Sequence, residues 1–93
     1  EYLGWYSNGI TFINCKISGT QPLCYAKNIK LIDCEFDETC DLCFEYSDVS
    51  GNIKGNIASI KNPLSGNLII EKETKLIIDE NDRSKGKFKL VLK

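Results

Sequence analysis

The sequence NGITFINCKI at residues 8–17 returns 19 positions later as KNIKLIDCEF at residues 27–36. Ile10 maps onto Ile29 and Cys15 onto Cys34, so apolar residues recur at the same places in both copies. Within each copy, apolar residues alternate with other residues, which is the pattern of a half-buried β-strand. A repeat of about 20 residues with a short strand in each copy predicts a solenoid whose coils stack at about 4.8 Å, like neighbouring strands of a sheet.

The alternation in the first copy predicts which side chains face the interior of the coil. Asn14 precedes Cys15 and marks the expected corner, and Lys16 is expected to face solvent. Ile13 and Ile32 fall one strand position after inward residues, which predicts an outer apolar ladder that serves a partner or a flanking loop. The residues predicted to point inward are Ile10, Phe12, Cys15 and Ile17.

The second half of the chain continues the coils with a less regular spacing. Residues 49–53 match the second coil only after a shift of one position, and Gly51 and Gly55 are expected where a side chain would not fit. The apolar runs at 68–70 and 76–78 predict two faces of one coil, and FKLVL at 88–92 predicts a last strand. Together with the charged stretch 79–87, this strand is expected to cap the stack.

Length and composition limit the classes of protein that the chain can represent. The 93 residues fit one segment, and 12 basic against 13 acidic residues leave a net charge of −1. This balance predicts neither a nucleic acid nor a membrane as a partner. The chain has no His, the commonest general base and zinc ligand, and no Met, which favours a fragment of a longer solenoid.

Four sequence words resemble an uncharacterised bacterial family with a single-stranded, right-handed β-helix of the pectin-lyase-like type. They are PLCY at 22–25, LIDC at 31–34, DLCFEYS at 41–47 and IKNP at 60–63, within residues 6–65. The resemblance implies a longer parent chain that ends with this segment, and it implies no established activity. Some members of that family carry the label hydrogenase, and the architecture also hosts polysaccharide lyases and hydrolases.

Repeat and resemblance together predict the fold class and the extent of the segment. We expect an all-β, single-stranded, right-handed parallel β-helix of about four coils that fills residues 1–93 as one segment. No window has a period of 3.6 residues, so we expect little or no helix.

Five cysteines leave three interpretations open. Cys15 and Cys34 are 19 residues apart, as are Cys24 and Cys43, so each pair is expected to stack on adjacent coils as buried thiols. Stacked coils also lie within the Cα distance of a disulfide. The spacing of Cys40 and Cys43 is that of a metal or cluster ligand pair. Buried free thiols are the favoured interpretation, with no cofactor and no metal.

Acidic and aromatic side chains supply the candidate ligand-binding residues. A carbohydrate-active enzyme would use paired carboxylates, and an acidic cluster lies at 37–48, far in sequence from the single arginine, Arg83. Trp5, Tyr6, Tyr25, Phe44 and Tyr46 recur near corresponding coil positions, as in an aromatic ladder. The residues predicted to share a binding face are Tyr25, Asp41, Glu45 and Tyr46, and no residue is predicted to be catalytic.

The sequence predicts the function of the chain less specifically than its fold. A β-helix scaffold or binding segment without its own catalytic site is the first interpretation. Part of a carbohydrate-active lyase or hydrolase is the second, and a redox or metal protein that uses its cysteines is the third. Carbohydrate and a second copy of the chain, bound through the N-terminal coil, are the expected partners. The compartment is left open, with the cytoplasm favoured.

Overall fold

The computed structural model describes residues 5–72, 74–79 and 87–92. These residues form eight β-strands, and no helix occurs among them. The strands are β1 (Thr11–Ile13), β2 (Lys16–Ile17), β3 (Ile29–Phe36), β4 (Val49–Lys54), β5 (Ser59–Lys61), β6 (Gly66–Ile70), β7 (Lys75–Ile77) and β8 (Phe88–Leu92).

The strands pair only in parallel, and each pair joins one coil to the next. Within the described part, one sheet has the order β1-β3-β4-β6-β8 with β2 also beside β3, and a second sheet pairs β5 with β7. Parallel neighbours need a connection that returns the chain to the same end of the sheet, and here that connection is the rest of a coil. The result is a β-solenoid of about four turns, which confirms the predicted all-β parallel coils.

The register of the first two coils confirms the 19-residue repeat. Phe12 pairs with Leu31 and Ile17 pairs with Phe36. Asn14 and Asp33 occupy the same place in the repeat, and both have left-handed backbone angles, with φ of 53° and 52°. Asn and Asp tolerate this conformation better than most residues, so Asn14 is the corner that the sequence predicts.

The third coil shifts by one residue, as predicted, and Gly51 lies at the shift. Ile29 pairs with Val49 whereas Cys34 pairs with Ile53, so the spacing changes between them. Gly51 has φ of 129°, and a Cβ there would lie 1.8 Å from the Leu31 carbonyl oxygen. Gly55 also has positive φ, at 77°, but a Cβ there would meet nothing within 4 Å. The predicted steric crowding is therefore confirmed at Gly51. At Gly55 that prediction is wrong, and only the backbone angle favours glycine.

Apolar side chains fill the interior of the stack. Ile17 is buried, but Ile10, Phe12 and Cys15 are only partly buried and pack against the edge of the core. Their coil has a described neighbour on one side only, so the inward side chains keep one open flank. The most deeply buried large side chains include Phe44, Leu23, Ile29, Leu31, Ile53, Ile57, Ile60, Leu68 and Ile70.

The C-terminal coils follow the predicted division into two faces. The run 68–70 lies in β6 of the larger sheet, and 76–78 overlaps β7 of the smaller sheet. β8 forms as predicted and pairs with β6, with Phe88 and Leu90 packed against the core. Of the predicted charged cap, residues 80–86 lie outside the described residues.

Two buried polar residues tie the coils together outside the sheets. The Ser47 hydroxyl accepts a hydrogen bond from the Ala26 N–H at 3.0 Å and donates to the Leu23 carbonyl. The Asn62 side chain donates to the Asp79 carboxylate at 2.8 Å and accepts from the Asp79 N–H at 3.1 Å. Both side chains are fully buried, and these bonds satisfy groups that would otherwise lose hydration without compensation.

Gly51→Ala and Gly55→Ala form a matched pair that separates steric crowding from backbone conformation. Both glycines have positive φ, which costs an alanine about 1 kcal/mol at Gly55 and more at Gly51, where φ lies further from the left-handed region. Only at Gly51 would the new methyl group collide with a backbone carbonyl, so we expect Gly51→Ala to lower the free energy of unfolding by about 3 kcal/mol or more. Urea denaturation measures both values, and equal losses for the two variants would contradict the predicted close approach.

Candidate functional site

Three tyrosines from successive coils form a ladder on the outside of the solenoid. The Tyr6 and Tyr25 rings are stacked, with centroids 5.2 Å apart and an interplanar angle of 11°. Tyr46 continues the row, 5.7 Å from Tyr25 and tilted by 49°. All three residues have left-handed backbone angles, with φ between 54° and 61°, so an equivalent bend of each coil sets the direction of each ring. We call Tyr6, Tyr25 and Tyr46 the tyrosine ladder.

Trp5 packs against one end of the tyrosine ladder. Its ring meets Tyr6 and Tyr25 edge-on, with centroid distances of 6.2 Å and 5.4 Å. The indole Nε1 donates a hydrogen bond to the Gln21 carbonyl at 2.7 Å, which fixes the ring against the neighbouring coil. Tyr6 is 73% exposed, whereas Tyr25 is 37% exposed because rings lie on both sides of it. Tyr6, at the end of the ladder, therefore has one open ring face.

Glu45 lies beside the ladder and brings a carboxylate to it. Its backbone carbonyl accepts a hydrogen bond from the Tyr25 N–H at 2.8 Å, and its side chain forms an ion pair with Lys61 at 3.6 Å. Burial raises the pKa of Tyr25, and the Glu45 carboxylate raises it further. Of the four predicted binding residues, the structure thus brings Tyr25, Glu45 and Tyr46 together.

Asp41 has different neighbours from the other predicted residues. Its carboxylate accepts a hydrogen bond from Thr20 Oγ1 at 2.5 Å, and its carbonyl accepts one from the Gln21 N–H. These bonds tie the loop of one coil to the loop of the next. The structure therefore gives Asp41 a structural contact, which the sequence spacing alone did not reveal.

Asp37 and Asp48, two other acidic residues of the cluster at 37–48, also make hydrogen bonds that hold the coils. Asp37 accepts hydrogen bonds from the hydroxyls of Ser18 and Thr39, and these bonds lower the pKa of its carboxyl. Asp48 accepts one from the Ser65 hydroxyl at 3.0 Å. Hydrogen bonds to hydroxyls of adjacent coils favour a structural role for these side chains. Arg83 lies outside the described residues.

The cysteines are free thiols, and four of the five are buried. Cys15 and Cys34 share a rung, because Ile13 pairs with Ile32 just before them and Lys16 with Glu35 just after them. Cys24 and Cys43 do not share a rung. Cys43 forms a parallel β-bridge with Ile60 of the following coil.

The prediction that Cys24 and Cys43 occupy equivalent rungs is therefore wrong by two residues. The Phe44 N–H donates to the Pro22 carbonyl, and Tyr46 follows Tyr25 in the ladder. The loop at 37–41 lengthens this coil, and a change of loop length shifts every residue behind it. Phe44, proposed with the surface aromatics, is fully buried and meets Phe36 at 5.5 Å inside the core.

Burial makes the inner thiols poor nucleophiles and poor metal ligands. It raises the pKa of Cys24 and of Cys40 to about 11 and that of Cys43 further. The Cys40 Sγ donates to the Ile17 carbonyl at 3.1 Å. A thiolate, not a thiol, attacks electrophiles and binds metals. In residues 5–72, 74–79 and 87–92, no three His, Cys, Asp or Glu side chains are grouped so that they could hold a metal ion.

Lys61 is the residue of the ladder face that the sequence did not indicate. It stands 16 positions after Glu45, a spacing that differs from the 19-residue repeat. The sequence hinted at an outward Lys61 only through its position after the apolar Ile60. In the short strand β5, Ile60 is buried and Lys61 faces outward. The spacing of coils in this part of the chain could not be read from the repeat.

Fold and site together define a parallel β-solenoid with an aromatic ladder on its outer surface. The chain belongs to the family described as protein of unknown function (DUF3737), whose sequence model matches residues 1–91. No curated protein and no solved structure matched the chain. Among the described residues, no helix is long and apolar enough to cross a membrane.

The raised thiol pKa values predict a loss of stability at high pH. Cys24 and Cys40 keep their protons in the folded chain up to about pH 11, whereas the unfolded thiols ionise near 9.0. Since the unfolded state then binds fewer protons, stability is unaffected below pH 9 and falls as the pH rises from about 9 to 11. Thermal unfolding between pH 8 and pH 11 measures this fall. In the Cys24→Ala variant this fall in stability should be smaller. An unchanged dependence of stability on pH would contradict the raised pKa of Cys24.

Proposed function

We propose that this chain is a scaffold and binding segment without a catalytic site of its own, and that the tyrosine ladder with Glu45 is its ligand face. The observation that carries this proposal is the row of three tyrosines, in which Tyr6 stacks on Tyr25 and Tyr46 is tilted against Tyr25, and which ends in a ring that is 73% exposed. Tyrosine combines an apolar ring with a polar hydroxyl, and such rings are enriched at binding surfaces.

A carbohydrate is the ligand class that this face favours. The apolar C–H face of one sugar ring can lie on the open face of Tyr6, while hydroxyls of further sugar units of the same oligosaccharide meet the Tyr25 and Tyr46 phenols and the Glu45 carboxylate along the side of the ladder. Stacked neighbours cover the inner rings, so sugar stacking is confined to the Tyr6 end of the ladder. The carboxylate of Glu45 would repel a polyuronate, and a neutral glycan is therefore the better match.

The catalytic and redox alternatives have less support from the contacts of the described residues. Glycoside hydrolysis needs two opposed carboxylates about 5–9.5 Å apart, whereas Asp41 is bonded to Thr20 and Glu45 is paired with Lys61. Buried thiols with raised pKa values are ill suited to redox chemistry. The right-handed pectin-lyase-like type, the bacterial source and the hydrogenase label stay predictions that rest on the resemblance.

Self-association through the N-terminal coil also stays a proposal. The partly exposed side chains of Ile10, Phe12 and Cys15 support it, because another coil placed on them would complete their burial. A second copy of the chain is the partner proposed for this end of the solenoid, where it would cover the open face of Tyr6 and compete with a glycan.

Glycan binding can be followed through Trp5, since it is the single tryptophan of the chain and touches the ladder. Neutral oligosaccharides should change the Trp5 emission saturably, with a dissociation constant of about 1 mM, equivalent to about 4 kcal/mol. We expect Tyr6→Ala to weaken binding at least tenfold, because stacking on its open face is lost. Isothermal titration calorimetry provides the second measurement.

Two carboxamide variants provide the matched control for this experiment. Glu45→Gln should weaken glycan binding several-fold, whereas Asp41→Asn should leave it within about twofold, because the Asp41 carboxylate is taken up by its hydrogen bond to the Thr20 hydroxyl. Absence of saturable binding by any neutral oligosaccharide, or binding that Tyr6→Ala leaves unchanged, would overturn the proposal.

A further inference from the structure

Tyr6 and Tyr25 occupy equivalent positions in successive coils, so their phenol rings point the same way. The Tyr6 N–H donates a hydrogen bond to the Cys24 carbonyl, and the Tyr25 N–H donates one to the Glu45 carbonyl. Each tyrosine is therefore bonded to the residue just before the next tyrosine of the ladder. The two backbones also turn alike, with φ of 61° and 56°. This equivalence explains why the two rings are nearly parallel, with an interplanar angle of 11°.

The stacking brings the same side of both phenols together. Burial raises the pKa of Tyr25 most, the Glu45 carboxylate adds to it, and the charge of a Tyr6 phenolate raises it further, which agrees with neighbouring hydroxyl groups. In a phenoxyl radical, the unpaired electron is concentrated on the oxygen and on the ring carbons ortho and para to it. With ring centroids 5.2 Å apart, the ortho carbons of Tyr6 lie next to those of Tyr25.

The pair is accessible from one side and held in place from the other. Tyr6 is the most exposed ring of the ladder, and Tyr25 keeps an exposed edge. Trp5 meets both rings edge-on, and its hydrogen bond to the Gln21 carbonyl fixes it there. A small oxidant can therefore reach both phenols while the surrounding contacts keep the rings aligned.

The first coil is also the part of the solenoid where a covalent link would stabilise most. Its strands β1 and β2 have three and two residues, whereas β3 has eight. Its inward side chains Ile10, Phe12 and Cys15 are only partly buried. Local opening begins where buried apolar contacts are few, and in a solenoid this is the end coil.

We propose that Tyr6 and Tyr25 form an oxidative cross-linking site, at which a one-electron oxidant such as a peroxide-oxidised haem joins the first coil to the second as dityrosine. The oxidant takes one electron from each phenol, and each phenol releases its hydroxyl proton to water. The two radicals form a C–C bond between ortho carbons. The hydrogens on those carbons then move to the phenol oxygens through solvent, which restores both hydroxyl groups. The oxidant gains two electrons, and the chain loses two hydrogen atoms.

Tyr46 is the poorer partner for Tyr25. Its ring is further away, at 5.7 Å, and is tilted by 49°. This tilt turns the ortho carbons of the two rings away from each other. The geometry therefore selects one pair of the ladder, and the reaction does not depend on whether a glycan binds Tyr6.

Photo-oxidation of the dilute chain tests the site, with a ruthenium tris-bipyridyl complex, persulfate and visible light as the one-electron oxidant. The product should be a monomer with the blue fluorescence of dityrosine. Trypsin should release residues 1–16 joined to residues 17–27, lighter than their sum by two hydrogen atoms. In urea the yield should fall at least about fivefold, because the rings are no longer held together.

Phenylalanine variants keep the rings and remove single phenols. Tyr6→Phe and Tyr25→Phe should each abolish the product, whereas Tyr46→Phe is the matched control and should change the yield by less than about twofold. Tyr2 lies in the same tryptic peptide as Tyr6, and the loss of product in Tyr6→Phe distinguishes the two. Circular dichroism establishes that each variant is folded.

The stability of the product tests whether the link secures the end coil. Tyr6 and Tyr25 are 19 positions apart, and closing a loop of this length should raise the melting temperature of the cross-linked monomer by about 5 °C or more. Irradiated Tyr6→Phe should show no such rise, and this sample controls for oxidation of Trp5 and of the thiols.

The proposal fails on any one of four results. These are a folded chain that forms no intramolecular dityrosine, a link that maps to Tyr25 and Tyr46, an equal yield in urea, and a cross-linked monomer that melts no higher than the untreated chain.

Discussion

Backbone hydrogen bonding between successive coils is the interaction on which the rest of this molecule depends. A parallel strand cannot pair with the strand that directly follows it through a tight turn, so each coil must travel around the core before it meets its neighbour. Pairing then forces inward side chains of one coil onto those of the next, as Phe12 lies on Leu31 and Leu68 on Leu90. The core is consequently a set of short apolar columns, and its continuity rests on the register of the backbone.

The loops between strands absorb the differences in length between coils. Paired residues are separated by as few as 16 positions, for Ser59 and Lys75, and by as many as 22, for Leu68 and Leu90. In the described part of the chain, eleven residues other than glycine adopt positive φ, including Asn14, Asp33 and the ladder tyrosines. Such angles are costly for bulky residues and persist where surrounding contacts hold them. The tyrosine ladder is therefore a product of the same bends that close each coil.

Many polar groups on the surface hold adjacent coils together. Asp37, Asp41 and Asp48 are bonded to hydroxyls of adjacent coils, and the inner thiols keep their protons because burial disfavours the thiolate. The ladder face and the outer face of the larger sheet remain, and they offer different chemistry. The first presents phenols and a carboxylate, whereas the second presents aliphatic side chains. This difference is the physical reason for proposing the ladder face as the glycan site.

The sequence by itself determined the coil, its corner and the inward residues of the second repeat, because period-2 alternation and a repeat of 19 follow directly from strand geometry. It also indicated that a side chain at Gly51 would be sterically crowded. Only the tertiary structure decided that Cys24 and Cys43 lie on different rungs, that Glu45 meets Lys61, and that Asp41 turns to Thr20. These contacts join coils across loops of unequal length, and each added residue shifts the pairing of everything behind it. Local pattern specifies a strand, whereas register between strands is set by the sum of all the loops between them.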